Sequence, residues 1–347
     1  MRYESSGHMT TDEKFMREAI MLARKGKGKT RPNPAVGCVM VKNGRVIGRG
    51  WHRRAGAQHA EVAALRSLKN ISAARGATVY VTLEPCCTHG RTPPCTKALI
   101  EAGVARVVIG AIDPNPKHRG RGIKLLQRAG IKTKSGVLGE ECAALNPEFN
   151  RVMRTGLPWV IAKCGMSLDG RLTRPPGEGQ WITSPTARRD AMKLRATVDA
   201  VMVGAGTVRA DDPALTVRGI RGAKQPLRVI WAPRGLPPRT SQMMRAAKNG
   251  DAVVLRQKNL RAALRELAKR AIQRVLIEGG GHTLGCAFDE KLVQEVVFYV
   301  APILSGGGVP AVGGLGADSA AKALRLDSVA YRRLGRDLRV SGRLKQV

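Results

Sequence analysis

The stretch from His59 to Cys95 constrains this chain more than any other. It opens as His59-Ala60-Glu61, at the head of the helical pattern Ala60-Glu61-Val62-Ala63-Ala64-Leu65. It resumes in the strand-like run from Ala77 to Leu83, which feeds Glu84-Pro85-Cys86, and it closes at Cys95. One imidazole and two thiolates fill three positions of a tetrahedral zinc site and leave the fourth to water, as catalytic sites do. His-x-Glu followed by Pro-Cys is the grammar of zinc deaminases acting on nucleobases, in which the glutamate moves protons and does not bind the metal. Here eight residues, not two, separate Cys86 from Cys95. An isolated His-x-Glu pair is more simply a solvated helix face, and a lone cysteine a buried filler. Because each half follows its expected element, the pattern favours His59, Cys86 and Cys95 as metal ligands and Glu61 as the catalytic acid–base.

The flanking chain alternates strands with helices, which predicts a layered α/β/α sheet. Thr11-Asp12-Glu13 caps a first helix that runs to about Lys25. Asn43-Gly44 marks a hairpin between Ala35–Val41 and Arg45–Gly50. Pro94 to Ala102 reads as a helix and Val104 to Gly110 as a buried strand. Asp113 and Asn115 follow that strand's C-terminal end, where ligands of open α/β sheets collect, although an Asx-type turn explains them equally. A helix from Gly139 to Arg154 leads out to Thr155-Gly156-Leu157-Pro158, the expected boundary between domains at 10–154 and 155–347. Gly7-His8-Met9 reads as a cloning remnant.

In the second domain a strand from Trp159 leads to Ser167-Leu168-Asp169-Gly170-Arg171. Ser184 is placed to cap a helix from Pro185, and Asp199 to Gly204 is a strand. Near the end, the strand Arg274–Ile277 opens into Glu278-Gly279-Gly280-Gly281-His282-Thr283-Leu284. A strand, a glycine cluster and a helix make a phosphate cradle of backbone N–H groups, or simply a flexible turn. The cluster is not G-x-G-x-x-G, so a Rossmann domain is not expected.

Charge and cysteine content set the remaining limits. Sixty basic against twenty-six acidic residues give a net charge of +34, which attracts phosphates, nucleic acid and anionic membranes without specificity. Aromatic residues are only 3% of the 347, too few for a single-strand stacking platform, so no specific nucleic acid is expected. No apolar run suits a bilayer, and the short polar N-terminus lacks a signal-peptide core, which predicts a cytoplasmic protein with no membrane partner. Seven cysteines with no framework spacing are then reduced, with Cys38, Cys142, Cys164 and Cys286 as small buried residues.

Thr82-Leu83-Glu84-Pro85-Cys86 and Gly90-Arg91-Thr92-Pro93-Pro94-Cys95 resemble the deaminase half of the bifunctional riboflavin-biosynthesis deaminase/reductases. The second half resembles the reductase half, in Ser167–Arg171, Gln180-Trp181-Ile182-Thr183-Ser184, Ala210–Arg218 and Glu278-Gly279-Gly280. The resemblance implies a cytidine-deaminase-like domain followed by a dihydrofolate-reductase-like one. The implied chemistry is zinc-dependent deamination of a phosphoribosylated diaminopyrimidinone, then NADPH-dependent reduction of the ribosyl chain to ribityl, in a homo-oligomer. It implies pyrimidine and phosphoribosyl contacts from Asn33, His52 and Arg91. Cofactor contacts fall to Gly165, Trp181, Thr207, Asp211 and the loop Gly280, Gly281, His282, Thr283, Leu284, Gly285 and Cys286. Arg195, Leu215, Arg218 and Glu278 would hold the reductase substrate. The chain departs from the family in three places. Where Cys-Ser-His is frequent it has Cys86-Cys87-Thr88, with His89 next. Gly179 replaces a frequent serine, and Trp231-Ala232-Pro233 falls where Asp-Ser often lies. The rival readings are a nucleic-acid base deaminase with an accessory domain and a basic nucleic-acid-binding protein with a closed structural zinc.

Overall fold

A computed structural model describes residues 9–89, 93–172 and 181–345. Arg91, Gly179 and Gln180 lie outside the described residues. The chain divides into two compact units, Met1–Thr155 and Gly156–Val347.

The first unit runs α1 (Thr11–Arg24), β1 (Gly37–Lys42), β2 (Arg45–Trp51), α2 (Ala60–Arg66), β3 (Thr78–Leu83), α3 (Cys95–Glu101), β4 (Arg106–Ala111), α4 (Arg121–Arg128), β5 (Lys132–Ser135), α5 (Gly139–Ala143) and α6 (Pro147–Thr155). Its sheet has the order β2-β1-β3-β4-β5. β1 is antiparallel to both neighbours, and β3, β4 and β5 are parallel. Successive side chains of a strand point to opposite faces. Cys38 and Met40 therefore join Val79, Val81, Val107 and Ile109 under α2, α3 and α4, while Val39 and Val41 join Tyr80 and Val108 under α1 and α5. This is the three-layered arrangement expected.

The true cap of α1 is Thr10, not Thr11: its hydroxyl accepts from Glu13 N–H while the Glu13 carboxylate accepts from Thr10 N–H, a reciprocal capping box. The helix expected over Gly139–Arg154 is two helices. Pro147 disfavours helical backbone at Asn146 and begins a new helix. The Asn146 side chain bonds both Ala35 N–H (2.7 Å) and Ala35 O (2.9 Å).

The second unit runs β6 (Trp159–Ser167), α7 (Pro185–Arg195), β7 (Ala200–Gly204), α8 (Ala205–Asp211), β8 (Leu227–Trp231), α9 (Gln242–Lys248), β9 (Ala252–Leu255), α10 (Leu260–Lys269), β10 (Arg274–Glu278), α11 (Gly281–Asp289), β11 (Glu295–Ala301), β12 (Leu326–Leu334) and β13 (Asp337–Leu344). Its sheet order is β12-β13-β11-β6-β10-β7-β8-β9. The strands from β11 to β9 are parallel, and β13 is antiparallel to both of its neighbours. α10 and α11 cover one face through Leu260, Leu264 and Leu284, and α7 and α9 cover the other through Ala191, Leu194 and Met243. Among the described residues no helix is long and apolar enough to cross a membrane.

Candidate active sites

In the first unit the metal-ligand candidates meet at the beginnings of two helices. His59 is the residue before α2, Cys95 opens α3, and Cys86 lies just beyond β3. Gly50 lets this happen. A Cβ there would sit 2.3 Å from Ala60 O and from Ala64 N, so only glycine allows α2 to lie this close to β2. His59 Nδ1 is 3.2 Å from Cys95 Sγ and 3.5 Å from Cys86 Sγ, and one donor atom from each of the three lies within 4.8 Å of the others. Tetrahedral zinc with ordinary Zn–N and Zn–S lengths spaces such donors at about 3.6 Å, so the residues present fit the ion. One of the two sulfurs is already poised for it. The hydrogen bond from Cys95, with His59 beside it, holds the Cys86 thiol well below its ordinary value, and the same bond pushes Cys95 up.

Glu61 projects from the first turn of α2 into a cavity of about 190 Å³. It is 4% exposed, and burial, aided by the charge of Cys86, pushes its carboxyl up to about 7. Asn33 and His52 line the same cavity. Asn33 Nδ2 donates to His52 Nε2 (3.2 Å) and His52 Nδ1 donates to Gln58 O (2.9 Å), which fixes the tautomer. Burial holds the His52 pKa below its ordinary value, favouring the neutral ring. Asp113 and Asn115 reach the cavity too, and Asn115 N–H also closes an Asx turn on Asp113 Oδ1 (2.8 Å), so both of their expected readings hold. Sequence reasoning missed Glu84 and His118. His118 lines the cavity, and nothing in its local pattern, a basic loop, marks it.

In the second unit a cavity of about 690 Å³ is lined by Gly165, Trp181, Arg195, Thr207, Asp211, Leu215, Arg218, Glu278 and Gly280 among others. Glu278 accepts from Arg195 Nε at Oε1 (2.7 Å) and from Nη2 at Oε2 (2.9 Å), and Lys163 Nζ lies 3.3 Å from the same Oε2. Burial by itself would raise this carboxyl, but the two cations bring it down to about 2. Lys163 is a further lining residue that sequence reasoning missed; a lysine inside a β-strand gave no signal. Leu215 holds φ at 52°, an unusual conformation for a branched residue, at the cavity wall.

An adjoining cavity of about 470 Å³ contains Gly280, Gly281, His282 and Thr283 with Trp231, Ala232 and Pro233. Gly279 and Gly280 have φ of 73° and 72°, and a Cβ on Gly280 would come within 2.6 Å of Thr207 Oγ1. The backbone thereby passes close to Thr207 before α11 starts. The His282 ring lies parallel to Trp231 with centroids 6.5 Å apart, so this departure from the family pattern stands at the cavity wall. The expected loop through Cys286 is a correction: the segment is helical from Gly281. Leu284 is fully buried in the core and Gly285 packs on the Gly313–Gly314 backbone. Cys286, expected to be buried, is only half-buried, 3.8 Å from His282 Nε2. Cys38, Cys142 and Cys164 are buried as expected.

These two units define a class: an α/β module with a zinc-type His/Cys/Cys site beside a buried glutamate, joined to a second α/β module with a glycine-rich cavity. Residues 9–111 match the cytidine and deoxycytidylate deaminase zinc-binding region, and residues 158–340 match the RibD C-terminal domain. The chain is 42% identical over 335 residues to riboflavin biosynthesis protein RibD of Escherichia coli, covering 85% of this chain and 89% of that protein. It is 43% identical over 321 residues to the Mycobacterium tuberculosis RibD, covering 91% and 92%. Among solved structures, Acinetobacter baumannii RibD superposes with a TM-score of 0.84 at 38% identity, covering 98% of this chain and 100% of that one. The Thermotoga maritima diaminohydroxyphosphoribosylaminopyrimidine deaminase/5-amino-6-(5-phosphoribosylamino)uracil reductase does so with 0.80 at 34%, covering 96% and 99%.

The chain belongs to the RibD family and is a bifunctional deaminase and reductase of riboflavin biosynthesis. Its cofactors are Zn²⁺ and NADPH, its fold is a cytidine-deaminase-like unit followed by the α/β unit of the RibD reductase domain, and its partner is a small-molecule pathway substrate.

Proposed function

We propose that the two reactions are divided between the two units, with the domains at 10–154 and 155–347, and that the residues named from the sequence carry them. The observation that supports this most is a single cavity holding a buried carboxyl, Glu61, beside His59 and Cys86, which converge with Cys95 in a cluster that could hold a metal ion.

In deamination, zinc supplies the Lewis acidity that makes water a nucleophile near neutral pH. Glu61 takes one proton from the attacking water and delivers it to the ring nitrogen; it then takes the second, from the hydroxyl now on the ring carbon, and delivers it to the amine, which leaves as ammonia as the C–N bond breaks and the carbonyl forms. Its burial suits it to both roles, because a carboxyl that titrates near neutrality gives and takes protons with similar ease. Neutral His52 and Asn33 hold the pyrimidine edge, and Arg91 belongs to the same substrate contacts. The product is the uracil that the second unit reduces.

In reduction, NADPH supplies a hydride. Gly165, Trp181, Thr207, Asp211 and the backbone from Gly280 to Thr283 hold the dinucleotide. Arg195, Leu215, Arg218 and Glu278 orient the phosphoribosylamino substrate, and arginine suits the phosphate because its planar fork binds two oxygens at once. Positioning is most of the work in such a transfer. Arg195 is committed to Glu278 on one side and donates to Thr216 O (2.6 Å) on the other. Its part is therefore to fix the Glu278 carboxylate, while exposed Arg218 is free to meet the phosphate.

We also propose a cytoplasmic homo-oligomer; light scattering on purified protein tests the assembly. The assignment of activities is tested by incubating the protein with the phosphoribosylated diaminopyrimidinone and NADPH while following ammonia and NADPH absorbance separately. Ammonia should appear without NADPH, and NADPH oxidation should require prior deamination. NADPH oxidation at full rate with no ammonia released would overturn the assignment.

A further inference from the structure

The loop between β4 and α4 carries His118 to the cavity that holds Glu61. Glu84 ties this loop down. Its buried carboxylate accepts N–H bonds from Asp113 (3.3 Å), Gly120 (2.9 Å), Gly122 (3.0 Å) and Ile123 (3.4 Å), so the loop hangs from the same strand end that supplies Cys86. The turn is closed locally, with His118 N–H donating to Asn115 O (2.9 Å) and Arg121 N–H to His118 O (2.7 Å). The half-buried imidazole then faces the chain just after Cys86. Its Nδ1 is 3.6 Å from Cys87 Sγ and its Nε2 is 3.5 Å from Thr88 Oγ1.

Two features of this placement point to a ligand. His118 lines the same cavity as Glu61, His59 and Cys86, reaching it from a loop 30 positions beyond Thr88. The contact of Nε2 with Thr88 is at the long limit for a hydrogen bond, so that nitrogen gains by exchanging it for a well-placed oxygen. We propose that His118 is a substrate-binding residue of the deamination site, holding the phosphoribosylamino arm. The proposal rests on the reading of this cavity as the deamination site.

The direction of the substrate follows from burial. The amine to be removed must face Glu61 and the metal ligands, and Glu61 and His52 are almost fully buried. The arm on the other side of the ring nitrogen is then directed toward the mouth, where His118 stands. Lys117, Arg119 and Arg121 flank it and are exposed, so the loop presents positive charge where a phosphate would emerge.

The test compares His118→Ala and His118→Gln with the parent protein, in the full chain, for zinc content and for the kinetics of ammonia release. A lost hydrogen bond to a charged group should raise KM about tenfold in His118→Ala, with kcat within about twofold and zinc unchanged, and His118→Gln should lie closer to the parent. Calorimetric binding of the same substrate to Glu61→Gln protein should weaken by a similar factor when His118→Ala is added. KM within twofold of the parent, a loss confined to kcat, or loss of zinc from His118→Ala would each overturn the proposal. If Glu61→Gln itself still releases ammonia at the parent rate, the reading of the cavity fails first.

Discussion

Arg195→Ala removes the main partner of a buried carboxylate, and the structure sets the scale of the damage. Glu278 and Arg195 are 7% and 8% exposed in their side chains and share two hydrogen bonds of 2.7 and 2.9 Å. After the substitution Lys163, at 3.3 Å, is the cation left facing the carboxylate among the described residues, and Thr216 O loses the Arg195 donor. Breaking one side of a buried pair costs about 3–5 kcal/mol, and the remaining lysine places this case near the lower figure. For a unit of this size about 3 kcal/mol corresponds to a fall in Tm of roughly 6–12 °C. The acid limb supplies an independent readout. A carboxyl held at about 2 against an ordinary 4.5 stabilises the fold fully above pH 4.5, by about 3 kcal/mol. That contribution is lost as pH falls from 4.5 through 2. In Arg195→Ala, burial is no longer fully offset, the folded-state value rises, and the stability lost in this window shrinks. Thermal unfolding followed by tryptophan fluorescence reports mainly on this unit, which contains Trp159, Trp181 and Trp231. A double-mutant cycle with Glu278→Ala should return a coupling above about 1 kcal/mol. A Tm within 2 °C of the parent, or an unaltered acid limb, would show that the triad does not hold this unit together.

Cys95→Ala should lose zinc by elemental analysis, whereas Glu61→Gln should keep it and slow ammonia release by about 10²-fold or more. Reduction of the deaminated intermediate should stay within about twofold in Glu61→Gln; if both reactions stop in folded protein, the division of labour is wrong. Arg218→Ala should raise the KM for reduction about tenfold by removing an arginine contact to phosphate, with ammonia release unchanged. With a net charge of +34, weak nucleic-acid binding should weaken steeply with salt and show no sequence preference; binding to one RNA that survives competitor at physiological salt would contradict this.

Legibility from the sequence followed the range of the physics involved. Periodicity two and strand–helix alternation are local, so the layered sheet of the first unit was readable, as was the Ser184 cap of α7, whose hydroxyl accepts from Ala187 N–H. The helix over Gly139–Arg154 was misjudged because its apolar spacing continues through Asn146-Pro147. A proline in a first turn costs a helix little, and the side chain that fixes the break bonds to Ala35, far away in sequence. The Gly280–Cys286 segment was taken as one loop because a glycine cluster signals close backbone approach but not where the following helix begins.

His59, Glu61, Cys86 and Cys95 were determined by the sequence itself, because metal chemistry demands particular atoms and chain spacing limits where they can lie. Tertiary structure alone decided which polar groups join them. His118 and Lys163 carry no local signature, and each reaches its cavity because a buried carboxylate draws it or its loop inward: Glu84 through backbone N–H groups, Glu278 through an ion pair. A carboxylate out of water must find donors wherever the fold supplies them. Those donors come from residues 29 to 115 positions away along the chain, which is why sequence order could not name them.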